Sequence, residues 1–64
     1  MGNLEDTILT DLKEKRKEVT IFLVNGYQFR GVITGFDDFV ICVNTLRNVE
    51  LIYKHAVSTI VPFE

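Results

Sequence analysis

The sequence predicts an α+β fold in which one N-terminal helix is followed by five short antiparallel strands in a strongly bent sheet. Three observations predict it. Apolar side chains repeat at helical spacing in the first sixteen residues, β-branched and aromatic runs separated by turn residues follow Glu18, and glycines interrupt the second of these runs. The 64 residues are therefore expected to form one domain, 1–64, with the helix at about 4–16 and the strands within 19–62.

The predicted helix is amphipathic. Its apolar side chains form a narrow stripe, at Leu4, Ile8, Leu9 and Leu12. Asn3 has the residue type of an N-cap, and the acidic residues that follow suit the positive end of the helix dipole. The basic run at 13–17 suits the negative end, so it is explained equally well as a solvated helix terminus and as a contact for nucleic-acid phosphates.

Five β-rich runs follow the helix, at 19–24, 27–36, 39–43, 49–53 and 57–61. Asn25-Gly26 between the first two predicts a hairpin, because both residue types accept a positive φ. The 39–43 run is nearly all apolar and is expected to be central in the sheet. Asp37-Asp38 is the next predicted turn, and Pro62 is expected to end the last strand.

Two glycines inside the second run predict its shape. A glycine within a strand marks a bulge, a sharp bend or a close approach of two backbones. Gly31 and Gly35 therefore indicate a long strand that bends in its middle, as a small open barrel requires.

The edges of this sheet predict oligomerisation. A chain of 64 residues buries only about 60% of its unfolded surface, so its core is marginal alone. The fourth and fifth strands have no proline, lysine or bulge signal in their interiors to block pairing with another chain. Because joining two different edges is heterologous, we expect the subunits to pair edge to edge and close into a ring.

Composition and charge exclude several classes of protein. The chain is 47% hydrophobic and 25% charged, which is too apolar for a disordered protein. Its net charge of −2 argues against an indiscriminate binder of polyanions. No apolar run approaches the roughly 18 residues of a membrane span, and the N-terminus does not have the pattern of a signal peptide, so a cytoplasmic location without membrane attachment is expected.

The sequence has few residues suited to catalysis or metal binding. The single cysteine, Cys42, lies in an apolar strand, where a buried and inert thiol is expected, and with one histidine, His55, it cannot complete a zinc site. Adjacent acidic residues at Asp37-Asp38 are more typical of a turn than of a metal site. We therefore expect no enzyme activity, no cofactor and no metal.

Several segments carry a family resemblance. They are Val24-Asn25-Gly26, Gly31 with Phe36-Asp37, Phe39-Val40, Ser58-Thr59 and, most specifically, Tyr53-Lys54-His55-Ala56. Over residues 4–62 the chain resembles Hfq, the bacterial Sm-like RNA chaperones, with the strand spacing of Gram-positive members. The resemblance implies a homohexameric ring of Sm folds that binds single-stranded RNA, both small regulatory RNA and mRNA, and promotes their pairing in post-transcriptional and stress regulation.

The resemblance also implies a proximal binding surface for U-rich RNA. On it Phe39 is expected to stack on uracil, Lys54 to contact base or phosphate, and His55 to face the pore, while Tyr53 fixes the subunit junction. Asp38 and Glu5 stand where the family has glutamines. Because a carboxylate donates no hydrogen bond, and because Glu5 is expected to pair with Lys54, weaker or more salt-sensitive binding is expected. We call these six residues the proximal set: Glu5, Asp38, Phe39, Tyr53, Lys54 and His55.

A second surface, for A-rich RNA, is implied along the first two strands. We call its residues the distal set: Phe22, Gly26, Tyr27, Gln28, Phe29, Arg30 and Thr59. Within it Tyr27 is expected to be exposed, whereas Phe29 shares its strand parity with Ile33 and suits the core as well as RNA. The resemblance implies a third surface, the lateral rim. We call its basic residues the rim set: Lys13, Arg16 and Lys17; the acidic Glu14 interrupts this basic patch.

One alternative remains open at this point. The alternative is a small-barrel protein-interaction module that acts through its open edges and has no RNA-binding activity. The mass of the assembly and its response to U-rich and A-rich oligonucleotides distinguish the two functions.

Overall fold

The computed structural model describes residues 4–63; the expected N-cap Asn3 lies outside them. The fold is an N-terminal helix followed by five antiparallel strands in one open sheet, as predicted. The elements are α1 (Leu4–Lys15), β1 (Glu18–Leu23), β2 (Gln28–Phe36), β3 (Val40–Asn44), β4 (Val49–Tyr53), a 3₁₀ turn (Lys54–Ala56) and β5 (Val57–Pro62). Observed ends differ from the predicted ones by about one residue.

The helix ends in a Schellman motif. The Lys17 amide donates to the carbonyl of Leu12, and the Arg16 amide donates to the carbonyl of Lys13, both at 3.2 Å. Arg16 has a φ of 52°, a conformation that glycine usually supplies at this position. The turn aims the chain from the helix directly into β1.

The β1–β2 hairpin differs from the expected two-residue turn. The Gly26 amide donates to the carbonyl of Leu23 at 3.0 Å, and the Leu23 amide donates to that of Tyr27 at 2.8 Å. Of the two turn residues only Gly26 has a positive φ, of 96°. The loop is therefore a three-residue connection, a type I turn closed by a glycine bulge. The Asn25 side chain stabilises it by accepting the Tyr27 amide at 3.0 Å.

The middle of β2 bends, as its glycines predict. Its first half pairs with β1 and its second half with β3, and Val32 belongs to both ladders. At Gly31 a Cβ would collide with the backbone of Asn44, so the two backbones approach closely there. Thr34 is an extra residue opposite β3, next to Gly35, so this second site is a bulge.

The core lies on the concave face of the sheet and is closed by α1. It consists of eight apolar side chains with at most 5% exposure: Leu9, Leu12, Val19, Ile21, Ile33, Ile41, Val43 and Ile52. Only half of the predicted helix stripe belongs to it, because Leu4 and Ile8 remain exposed. β3 is an interior strand, but the central strand of the sheet is β2, so the predicted central position of β3 is one strand off. Its Cys42 is half-buried on the outer face rather than buried as expected.

The sheet order is β4-β3-β2-β1-β5, so β4 and β5 are its two open edges. The Lys54 amide donates to the carbonyl of Phe39 at 2.8 Å, and ladder bonds alternate along a strand. It follows that the backbone N–H and C=O groups of Val49, Leu51 and Tyr53 point away from β3, toward the open edge. These groups are available to pair with another chain.

The β5 edge carries a bulge that the sequence did not predict. Phe22 is paired with Thr59 and Leu23 with Val57, so Ser58 is an extra residue. Pro62 is the last residue of β5, and the Phe63 amide still donates to the carbonyl of Glu18 at 2.8 Å. Since bonds alternate, the missing N–H of Pro62 lies on the open edge, where proline is tolerated.

None of the helices formed by residues 4–63 has the length and apolar character needed to cross a membrane. Within the same residues, no three His, Cys, Asp or Glu side chains group as the ligands of a metal ion would.

Candidate nucleic-acid interface

The β2–β3 turn presents Phe39 at the surface. Asp37 organises this turn: its Oδ1 accepts the amides of Phe39 at 2.7 Å and Val40 at 2.9 Å, while its own amide donates to the Val40 carbonyl at 3.0 Å. The amides of Phe39 and then Val40, and beyond them the positive charge of Lys54, hold the pKa of the Asp37 carboxyl below its usual 3.8. The Phe39 ring is left 73% exposed on a fixed backbone, as a stacking platform requires.

The end of β4 brings further members of the proximal set to the same turn. The bond between the Lys54 amide and the Phe39 carbonyl joins the 3₁₀ turn to the β2–β3 turn. Beside it the rings of Tyr53 and His55 stack, with centroids 5.5 Å apart and planes 24° apart. Tyr53 is also exposed, on the open edge of β4. Three aromatic rings and one cation therefore lie around one end of this edge strand.

The Lys54 ammonium is engaged within the subunit. Its Nζ lies 3.0 Å from Oδ1 of Asp6 and 3.9 Å from Oε1 of Glu5, and 5.2 Å from the centroid of the Phe36 ring. The Lys54 side chain is only 12% exposed. The expected pairing with Glu5 is present, but Asp6 is the closer partner, and neither Asp6 nor Phe36 is among the site residues predicted from the sequence. A cation so placed also anchors the first turn of α1 to the end of β4.

Most of the distal set lies on the face of the sheet that points away from the core. Directly opposed residues share a face, and Phe22 is opposed by Gln28 on β2 and by Thr59 on β5. These three side chains form a row across three strands. Tyr27 is exposed beside the hairpin, as expected, and Gly26 forms the hairpin bulge.

Two members of the distal set have other surroundings. Phe29 is opposed by the buried Ile21 and packs against the core, so the core alternative holds for it. Arg30 lies on the outer face but contacts other side chains, with its Nε 3.3 Å from Oε1 of Glu18 and its Cζ 4.2 Å from the centroid of the Phe63 ring.

The rim set lies at the end of α1. Lys13, Arg16 and Lys17 are exposed, and the first two border a groove whose other wall is the bend of β2 and the end of β3. The Lys13 Nζ lies 6.0 Å from the centroid of the Phe36 ring, the same ring that the Lys54 ammonium contacts. Phe36 therefore connects the rim to the proximal set.

Comparisons with known proteins match nearly the whole chain to one family. The family model for the Hfq protein matches residues 4–64. The RNA-binding protein Hfq of Moorella thermoacetica is 48% identical over 62 residues, covering 97% of this chain and 74% of that protein. The RNA-binding protein Hfq of Bacillus thuringiensis is 47% identical over 60 residues, covering 94% of this chain and 81% of that protein.

Solved structures agree with these matches. The crystal structure of the pleiotropic translational regulator Hfq superposes with a TM-score of 0.89 at 42% identity, over 92% of this chain and 98% of that one. An Hfq protein from Anabaena, at 24% identity and a TM-score of 0.85 over 92% of this chain and 95% of that one, shares the fold. Sequence and structure together show that this chain belongs to the Hfq family.

Proposed function

We propose that this chain assembles into a ring of six copies that binds single-stranded RNA and brings RNA strands together without changing them chemically. One observation carries the proposal: Phe39, Tyr53, Lys54 and His55 meet beside the open edge of β4 in a chain that belongs to the Hfq family. Relatives with nearly half of their residues identical are named RNA-binding proteins.

Ring closure uses the two open edges. The β4 edge offers unpaired backbone groups and three exposed apolar side chains, those of Val49, Leu51 and Tyr53, and the β5 edge adds exposed Val61. Pairing β4 of one subunit with β5 of the next satisfies the backbone groups and covers apolar surface in each contact. The contact is heterologous, so it closes only by repetition around an axis.

The proximal set binds U-rich RNA in this proposal. Phe39 stacks on a uracil, an interaction worth about 1–3 kcal/mol per base. His55 and Tyr53 extend the aromatic surface, and Lys54 supplies the positive charge. Six copies around one pore multiply each weak contact, which is how a chain with a net charge of −2 binds a polyanion.

The distal set apart from Arg30, whose guanidinium contacts Glu18 and Phe63, binds A-rich RNA in this proposal. Exposed Tyr27 and half-buried Phe22 offer faces for stacking, and Gln28 and Thr59 beside Phe22 supply hydrogen-bonding groups for base edges. Phe29 contributes by supporting this surface from the core side. Since Arg30 is paired with Glu18, stacking rather than charge dominates on this face.

Two RNAs held on two surfaces of one ring meet at a raised local concentration, and this is the chaperone activity that we propose. The rim set gives strands at the periphery a positive path, which Glu14 weakens. Small regulatory RNAs and mRNAs in the cytoplasm are the proposed partners.

The two-surface division is tested by exchanging one residue on each. Phe39→Ala is expected to weaken binding of a U-rich hexanucleotide about tenfold or more and to leave A-rich binding unchanged, because one stacking platform is lost. Tyr27→Asp is expected to do the reverse. Binding is measured by fluorescence anisotropy at fixed salt, with Thr10→Ala as the matched control, since Thr10 is exposed on α1 and belongs to neither set.

Equal loss of both RNAs in either variant contradicts the division into two surfaces. A chain that binds neither RNA, in any assembly, contradicts the RNA function and favours the protein-interaction module instead.

A further inference from the structure

Arg30 joins three elements on the outer face of the sheet. Its guanidinium contacts the carboxylate of Glu18, at the start of β1, and the ring of Phe63, just beyond β5. The register explains the meeting: Arg30 is opposed by Thr20, and Glu18 lies two residues from Thr20 on the same face. Phe63 in turn is tied to Glu18 by its amide, which donates to the Glu18 carbonyl.

The guanidinium is thus held between an anion and an aromatic face. The Arg30 Nε lies 3.3 Å from Glu18 Oε1, and Arg30 Cζ lies 4.2 Å from the Phe63 centroid, well inside the range of a cation–π contact. Each contact alone is weak on an exposed surface. Together they form one connected arrangement in which Arg30 bridges β2 to the end of β5 across β1.

The end of β5 has few other supports. Val61, Pro62 and Phe63 are all exposed, so the backbone pairing of β5 with β1 holds them without core packing. Exposed residues at the end of an edge strand make few buried contacts, so that end opens locally at low cost unless side chains hold it. The Phe63–Arg30–Glu18 contact is placed where it holds the last residues of β5 against β1.

We propose that Arg30 is a positioning residue for subunit pairing: by fixing the end of β5 on β1 through Phe63 and Glu18, it keeps the β5 edge in the extended form that β4 of a neighbouring subunit requires. This inference rests on the proposed ring. It also removes Arg30 from the cations that contact RNA, in contrast to its membership of the distal set by resemblance.

Pairing between subunits requires an ordered edge strand on each side of the contact. An edge strand that is frayed must be ordered before it pairs, and the free energy of ordering then weakens the contact. A strand held in place beforehand avoids this loss. In a ring every interface uses one β5 edge, so the effect of one side chain recurs at each contact.

The test compares Arg30→Gln, Phe63→Ala and the double variant with the native chain. Sedimentation velocity over a dilution series gives the concentration at which rings dissociate. Each single variant is expected to weaken each contact about two- to fivefold, the range of an exposed cation–π contact. The rings of the double variant are expected to dissociate at the same concentration as those of the more affected single variant, because both substitutions remove the same interaction. Arg47→Gln is the matched control, an exposed loop arginine for which no ion pair occurs within residues 4–63.

Two further measurements separate this inference from the proposed function. Amide hydrogen exchange of residues 57–63 is expected to quicken in Arg30→Gln and not in Arg47→Gln, and this reports on β5 whether or not rings form. A-rich RNA affinity, measured where rings of Arg30→Gln are intact, is expected to equal that of the native chain.

Loss of A-rich binding by intact Arg30→Gln rings would overturn the proposal, because Arg30 would then be an RNA contact. Unchanged exchange and unchanged dissociation in both single variants would overturn it too. Monomeric native chain with quickened exchange in Arg30→Gln would contradict the ring and leave the role of Arg30 in holding β5 supported.

Discussion

Lys54 is held by two acidic side chains before any RNA arrives. Its Nζ lies 3.0 Å from Asp6 and 3.9 Å from Glu5, and its side chain is largely covered. An RNA phosphate or base that uses this cation must compete with both carboxylates. The positive charge available at the proposed pore is therefore smaller than a count of lysines suggests.

Neutralising the nearer carboxylate is expected to strengthen U-rich binding. Asp6→Asn removes one negative charge next to Lys54 and keeps a side chain of equal size, so we expect an affinity gain of about three- to tenfold, decreasing as salt rises. The measurement is anisotropy titration at two salt concentrations. Asp11→Asn is the control, because Asp11 pairs with Lys15 on the exposed side of the same helix.

A gain in both variants, or none in Asp6→Asn when its rings are intact, contradicts this role for Asp6. Asp38 also stands where the family resemblance implies a glutamine. In the same assay Asp38→Gln is expected to raise the affinity for U-rich RNA, because an amide donates a hydrogen bond and a carboxylate does not.

Asp37 gives the β2–β3 turn a dependence on pH. Its pKa is lowered in the folded protein, so its contribution to stability is present above the unfolded value near 3.8 and is lost as the pH falls through the lower folded value. Asp37→Asn keeps an acceptor oxygen but cannot titrate. Below about pH 4 the native chain is therefore expected to lose denaturant resistance faster than Asp37→Asn does, as measured by urea unfolding from pH 5 to 2.

Asp38→Asn serves as the control for this pH series, because the Asp38 carboxylate does not accept the two turn amides. If both variants remove the same part of the acid dependence, the turn bonds of Asp37 are not its cause.

At the scale of elements, the two glycines of β2 differ in the space around them: Gly31 is crowded by β3, and Gly35 is not. A Cβ at Gly31 would lie 3.0 Å from the carbonyl carbon of Asn44 and from Cγ1 of Val43, closer still to the Asn44 carbonyl oxygen, whereas one at Gly35 has nothing within 4 Å. Gly31→Ala is expected to destabilise the fold by about 1–3 kcal/mol. Gly35→Ala is expected to change stability by less than about 0.5 kcal/mol.

Chemical denaturation of the two alanine variants at equal protein concentration measures this difference. Equal effects at Gly31 and Gly35 are incompatible with a close β2–β3 approach at Gly31.

The order and type of the elements followed from the sequence because their periods differ. Leu9 and Leu12 repeat at helical spacing, and Val19 and Ile21 alternate as in a strand with one buried face. The bulge at Ser58 left no such signal, since a polar residue beside Thr59 is equally compatible with regular pairing. Turn type at Gly26 also depends on strand twist, which residue types alone do not fix.

The site was only partly predictable for a related reason. Exposure of Tyr27 and the pairing of Glu5 with Lys54 follow from residue type and the family resemblance. Asp6 as the closer partner depends on how α1 is rotated over the end of β4, and the Arg30–Phe63 contact depends on sheet register across three strands. Both are tertiary facts with no local sequence pattern.

At the scale of the whole molecule, the edges of the sheet decide what the side chains can do. One subunit offers Phe39 and a partly neutralised Lys54, too little for firm RNA binding. In the proposed ring, six subunits around an axis place six such pairs at one pore. The proposed RNA binding therefore depends on pairing between β4 and β5.

A proline on the β4 edge tests this dependence without disturbing the subunit. The Leu51 amide points to the open edge and its side chain is exposed, so Leu51→Pro removes no ladder bond to β3. Leu51→Ala retains the amide and is the matched control. Leu51→Pro is expected to give folded monomers with at least tenfold weaker affinity for U-rich RNA, whereas Leu51→Ala keeps both assembly and binding.

The most direct measurement is the mass of the native chain in solution at micromolar concentration, alone and with a short U-rich RNA, by native mass spectrometry or sedimentation equilibrium. The expected result is a species of six times the 7.4 kDa chain mass that binds the RNA as one unit. Single 7.4 kDa chains that remain single when the RNA is added would contradict the ring and the RNA binding built on it.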